Sequence, residues 1–157
     1  MEQDRLSREE IVELYKKDVD RLVPYLNWLE QKAGKQVAES YHGQDIEKHS
    51  VTFPVYDSTL LRFVQEIKRT KFFDKNYVYV YSHFQIRNDR DEKRVIERAS
   101  LQDIDALGGI LSRYAIKGTT KGPVWQEGVR NGVLYETVKK MKELMDFWDK
   151  EDERRKR

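Results

Sequence analysis

The residues best suited to chemistry lie together in Lys117-Gly118-Thr119-Thr120-Lys121-Gly122-Pro123-Val124-Trp125. Pro123 suits the first turn of a helix, and a helix N-terminus exposes amides and a partial positive charge that can hold phosphate or carboxylate. Lys117 and Lys121 add charge, and Thr119 and Thr120 add hydroxyl donors. Gly118 and Gly122 let a ligand approach the backbone closely, with Trp125 flanking. The stretch is therefore expected to form an anion-binding turn, with Gly118 stopping the preceding helix. It is not a Walker A loop, because G-x-x-x-x-G-K-[ST] is absent and no strand precedes it. The competing reading is a helix connector with solvated lysines and one capping threonine.

A second candidate is Tyr77, Tyr79, Tyr81 and His83, which alternate along Tyr77–Ile86. On a strand they share one face, and stacked aromatics on a sheet can bind unpaired bases. Arg87, Arg90 and Arg94 would add positive charge nearby. The competing reading packs the tyrosines under helices or into a dimer face. The histidines, His42, His49 and His83, show no i, i+4 pair and no H-E-x-x-H, so no metal and no cofactor is expected. No G-x-S-x-G elbow and no other complete catalytic constellation is readable.

Elements must position these residues. Ser7-Arg8-Glu9-Glu10 is a capping-box pattern, followed by Ile11, Leu14, Tyr15, Val19 and Leu22 at helical spacing. Pro24 should break that helix and start a short one that ends at Gly34. Gly34 to His49 reads as a loop, and Val51–Tyr56 as a strand with Pro54 at an edge. Asp57 caps a helix bearing Leu60, Phe63, Val64 and Ile67. The alternating Tyr77–Ile86 predicts a strand, Asn88–Lys93 a turn, and Arg94–Arg98 an antiparallel partner. Ser100 and Asp103 start a helix whose Gly108-Gly109 pair suggests close packing. Pro123 starts a short helix ending near Asn131-Gly132. A last helix from Val133 to about Lys150 carries Leu134, Val138, Met141, Met145 and Trp148 on one face, with Phe147 roughly opposite.

The fold class read from this order is α+β: one mostly helical domain, 1–150, with a small antiparallel sheet of two or three strands. A charged, disordered C-terminal tail, 151–157, is expected to follow. The chain has 157 residues, 38% of them hydrophobic, 11% aromatic and 37% charged, with a net charge of +2. That suits one domain with a sizeable core and excludes both a nucleic-acid mimic and a strongly basic nucleic-acid coat. With no cysteine, disulfide scaffolds, cysteine-ligated metals and thiol catalysis are excluded. No signal peptide and no membrane span is readable, so a cytoplasmic location is expected.

Ile110-Leu111-Ser112-Arg113-Tyr114, then Lys117-Gly118, Pro123-Val124-Trp125 and Asn131-Gly132-Val133-Leu134, resembles one uncharacterised bacterial domain-of-unknown-function family. Phe53-Pro54-Val55-Tyr56 and Asp57 are also similar in placement, and the likeness covers roughly Ile11 to Leu144. Lys117 stands where that family tends to have Arg, Pro123 replaces a Gly, and the turn is one residue shorter. The resemblance implies an α+β fold and a bacterial or phage origin, and it brings no activity, substrate or cofactor.

These observations favour a non-enzymatic binding module engaging a protein partner, a second copy of itself as a homodimer, or an anionic ligand at Lys117–Trp125. One alternative is a nucleic-acid-associated or counter-defence protein of phage–host conflict, with a basic patch from Arg62, Arg69, Lys71, Lys75, Arg87 and Arg90. Another is a small enzyme acting on a phosphate-bearing compound, for which no nucleophile or base is readable.

Overall fold

Ser7 opens the first helix by reciprocal capping. Its hydroxyl accepts from the Glu10 amide at 3.1 Å, and the Glu10 carboxylate accepts from the Ser7 amide at 2.9 Å. In this computed structural model the described residues are 7–34, 38–41, 53–56, 58–120 and 123–156, with side chains described for 7–34, 58–118 and 124–148. Helix α1 (Arg8–Leu22) gives way at Pro24 to a 3-10 turn, Val23–Tyr25, and then to α2 (Leu26–Lys32). Gly34 closes this unit in the left-handed region, φ 80°, which glycine adopts without strain.

The remaining helices are α3 (Ser58–Arg69), α4 (Tyr77–His83), α5 (Asp89–Arg98), α6 (Ile104–Thr120), α7 (Pro123–Arg130) and α8 (Val133–Lys156). A 3-10 turn, Leu101–Asp103, leads into α6. Helices α6 and α8 are the centre: α6 packs on α3, α4, α7 and α8, and α8 on α1, α2, α5, α6 and α7. Their seams, Leu107, Ile110, Leu111 and Tyr114 on α6 and Leu134, Val138, Met141 and Met145 on α8, are buried. Burying each such aliphatic side chain contributes roughly 1.5–3 kcal/mol. Gly108 and Gly109 face Phe72 and Val80, so α6 meets α4 and the loop before it at a distance only glycine allows.

Buried polar groups join the remote parts. Asp18 accepts from the Lys71 amide at 2.9 Å, and Tyr15 donates to Asp105 at 3.1 Å. Ser112 accepts from the Asp74 amide at 2.8 Å and donates to the Gly108 carbonyl at 2.7 Å.

The α+β expectation is overturned: this is a helical fold. The segments expected to supply its central strands, Tyr77–Ile86 and Arg94–Arg98, lie in α4 and its C-terminal cap and in α5. Among the described residues, β structure is a ladder of two short strands, β1 (Ala38–Tyr41) antiparallel to β2 (Phe53–Tyr56). One such pair is too small to form a sheet layer. Every buried apolar side chain described belongs to a helix or a helix connector.

The alternation misled for a physical reason. Tyr77 to Tyr81 is apolar or aromatic at every position, so a period of 2 and a period of 3.6 fit equally. As a helix it sets the Tyr77 and Tyr81 rings edge to face at 6.1 Å and lays Val80 on Gly109. The β-propensity at stake spans only about 1 kcal/mol, which such packing overrides. Arg94–Arg98 follows a helix start that reads as a turn locally: the Asn88 side chain accepts from the Asp91 amide at 2.9 Å.

Two ends also move. Gly118 does not stop α6, which continues to Thr120, and α8 continues to Lys156 beyond the expected end near Lys150. His42, His49, Asp57 and most of the expected Gly34–His49 loop lie outside the described residues.

Candidate functional site

Gly118 is occupied from within the molecule. A Cβ there would stand 1.8 Å from Trp125 Cδ1, and Trp125 Nε1 donates to the Ala115 carbonyl at 3.2 Å. The glycine thus makes room for an indole that pins α7 to α6. Lys117 is exposed on α6. Thr119 and Thr120 end α6, but their side chains, like all of Lys121 and Gly122, lie outside the described residues.

The aromatic residues do not form one face. Winding Tyr77–His83 into α4 leaves Tyr79 76% exposed and Val78 63% exposed, while Tyr81 turns inward. His83 meets the edge of Phe84 at 4.9 Å on the exposed side. The four-residue stacking platform is therefore corrected to one edge-to-face pair, Tyr77 with Tyr81.

Tyr81 leads to a buried carboxylate that strand logic hides. Glu92 of α5 is 2% exposed. It accepts from the Tyr114 hydroxyl at 2.6 Å and from the Tyr81 hydroxyl in a short hydrogen bond. Arg113 Nη1 lies 3.7 Å from the same carboxylate, and its guanidinium sits over the Tyr114 ring at 5.0 Å. Asn131 Nδ2 donates to the Tyr114 hydroxyl at 3.2 Å, and its carbonyl accepts from the Val133 amide at 2.9 Å. The cluster ties α4, α5, α6 and the α7–α8 turn together. One signal pointed to it: Glu92 stands three, four and seven residues before Val95, Ile96 and Ala99, on the apolar face of a helical reading.

Burial pushes the Glu92 carboxyl up, against the lowering effect of both tyrosine hydroxyls and Arg113. The phenols move with it. Burial and the Glu92 charge push Tyr81 and Tyr114 up, and burial and Asp105 push Tyr15 up to about 12. The native state then holds these three protons more tightly than the unfolded chain does. Their stabilisation is complete below the usual phenol value of 10.0 and is lost as pH rises through the raised native values. In an ultraviolet titration, part of the nine-tyrosine signal should ionise only as the helical circular dichroism disappears. Ionisation of all nine near the usual value, with helicity intact, would contradict the network.

Farther along α5, toward its C-terminal end, lies a half-open cleft of about 570 Å³. Its floor is Val95 and Ala99, both buried, with the half-buried Phe84. Gln85 stands at its edge with φ 56°, in the left-handed region unusual for a residue with a Cβ. That conformation closes α4: the Ile86 amide donates to the Tyr81 carbonyl at 2.8 Å and the Gln85 amide to Ser82 at 3.2 Å. Arg94 and Arg98, one turn apart, supply the positive wall.

Arg94 is already engaged, by Asp91 at 3.2 Å and by the Phe84 carbonyl at 3.3 Å. Arg98 has no hydrogen-bond or ion-pair partner among the described residues. Asp103, also in the lining, uses Oδ2 to accept from the Ser100 amide at 2.9 Å and the Ser100 hydroxyl at 3.2 Å. Nothing in the sequence reading singled out this cleft, because it needs Phe84, Val95 and Asp103 from three different elements.

Among the described residues, no group of three or more histidine and acidic side chains could hold a metal ion. No described helix is long and apolar enough to cross a membrane. No protein-family model, curated protein or solved structure matches the chain.

Proposed function

We propose that this protein is a non-enzymatic binding module whose ligand seat is the cleft between the end of α4, the C-terminal half of α5 and the turn into α6. The observation that carries this reading is an arginine, Arg98, without a described partner on the wall of a 570 Å³ cleft with an apolar floor. The lining pairs that floor with the polar and charged Gln85, Arg94, Arg98 and Asp103, and small-ligand sites likewise use placed polar groups to orient a ligand against apolar surface. A guanidinium offers five N–H donors in a planar fork, which matches a carboxylate or phosphate. The Lys117–Trp125 turn is not part of this proposal, since Gly118 and Trp125 serve packing.

The test is a thermal-shift screen of small carboxylates, free amino acids among them, and phosphates on the full chain. A ligand that binds the native state must raise the melting temperature. Arg98→Ala is expected to weaken binding of any such ligand by about tenfold or more, the worth of one charge-assisted contact. The ligand-free melting temperature should barely move, because Arg98 is exposed. Absence of any stabilising ligand, or equal binding by the variant, would overturn the reading.

A further inference from the structure

Resting on that reading of the cleft, we infer that its ligand is a small zwitterion with an apolar body, the class of a free α-amino acid with an apolar side chain. The cleft presents both signs of charge with neither neutralised by the other. Arg98 and Asp103 line the same space and form no ion pair with each other. Arg94 adds no further demand, because Asp91 and the Phe84 carbonyl hold it. Asp103 keeps its second oxygen, Oδ1, without a partner among the described residues, since both Ser100 bonds go to Oδ2.

A ligand with only a negative group would satisfy Arg98 and bring its charge toward Asp103. A ligand with only a positive group would meet the reverse. Like charges brought together on binding cost affinity, so a purely anionic or purely cationic ligand is selected against. A carboxylate on Arg98 with an ammonium on Asp103 satisfies both. The apolar part then covers Phe84, Val95 and Ala99, where displacing water is favourable. Gln85 at the edge carries a donor and an acceptor and suits either charged group.

The experiment uses calorimetry and thermal shift on the full chain with phenylalanine and leucine. Two altered probes accompany them: phenylalaninamide, which lacks the carboxylate, and N-acetylphenylalanine, which lacks the ammonium. The unmodified amino acids should bind, and each altered probe should bind about tenfold or more weakly. Arg98→Ala should erase the preference for phenylalanine over its amide. Asp103→Asn keeps a side-chain oxygen for Ser100 and should erase the preference over the N-acetyl form. If N-acetylphenylalanine binds as tightly as phenylalanine and depends on Arg98, the zwitterion inference fails while the cleft reading stands. If none of the probes binds, and carboxylates and phosphates bind no better, both fail.

Discussion

Glu92→Ala should cost the fold about 3–5 kcal/mol, the range for removing one partner from a buried ion pair. The substitution deletes the acceptor of two phenolic hydroxyls and the counter-charge of Arg113 in one step. It also leaves a gap where α4, α5 and α6 meet. Glu92→Gln should cost much less, because it keeps the volume and one acceptor oxygen and removes a charge that burial disfavours. The comparison carries a pH signature. The native carboxyl is raised above its usual 4.5, so the native state binds that proton more tightly than the unfolded chain. This group's contribution to stability therefore falls as pH rises from about 4.5 through the native value, and the carboxylate's penalty is complete above it. Urea denaturation of the wild type and both variants across that window reads all of this. A Glu92→Ala loss below about 1 kcal/mol, the level of an ordinary hydrogen bond, would remove the cluster from its central place.

Gly108→Ala should lower stability by about 1–3 kcal/mol, although alanine is the better helix former by about 1 kcal/mol. The added Cβ would lie 2.7 Å from the Phe72 carbonyl oxygen and 2.7 Å from its Cβ. Neither atom can rotate away, so α6 and the Phe72 loop must separate. Gly109→Ala meets a methyl of Val80, at 2.8 Å, which sits on a short helix with an exposed outer face. It should be the milder change of the two. Chemical denaturation of both variants checks the order, and a stabilising Gly108→Ala would mean that the helix contact is looser than the geometry states.

Several parts of the fold were legible because their causes are local. Ser7 and Glu10 cap each other within one turn, Pro24 breaks a helix through its own ring, and the apolar spacing of α6 and α8 marks the faces they bury. The Gly108-Gly109 pair correctly signalled a close approach. Gly118 reads in the sequence as a helix stop, but α6 runs through it, so the glycine has another reason. Its reason is the Trp125 ring, which returns from the next helix.

The candidate sites show the other side. Tyr77, Tyr79, Tyr81 and His83 look like one face only if the segment is extended, and nothing within those residues chooses between strand and helix. Glu92 looks like part of a charged turn until α5 is recognised as a helix, and its partner Tyr114 lies 22 residues away. The cleft beside it joins residues from the α4 cap, α5 and the turn before α6. By itself the sequence determined the capped start of α1, the break at Pro24 and which stripes of α1, α3, α6 and α8 go inside, since caps, prolines and apolar periods act over a few residues. Only the tertiary structure decided that α4 and α5 are helices, that Glu92 is buried, and that Arg98 and Asp103 share a cleft. Those outcomes depend on packing and desolvation between segments distant in the chain, and such energies exceed the small local preferences that pointed to a sheet.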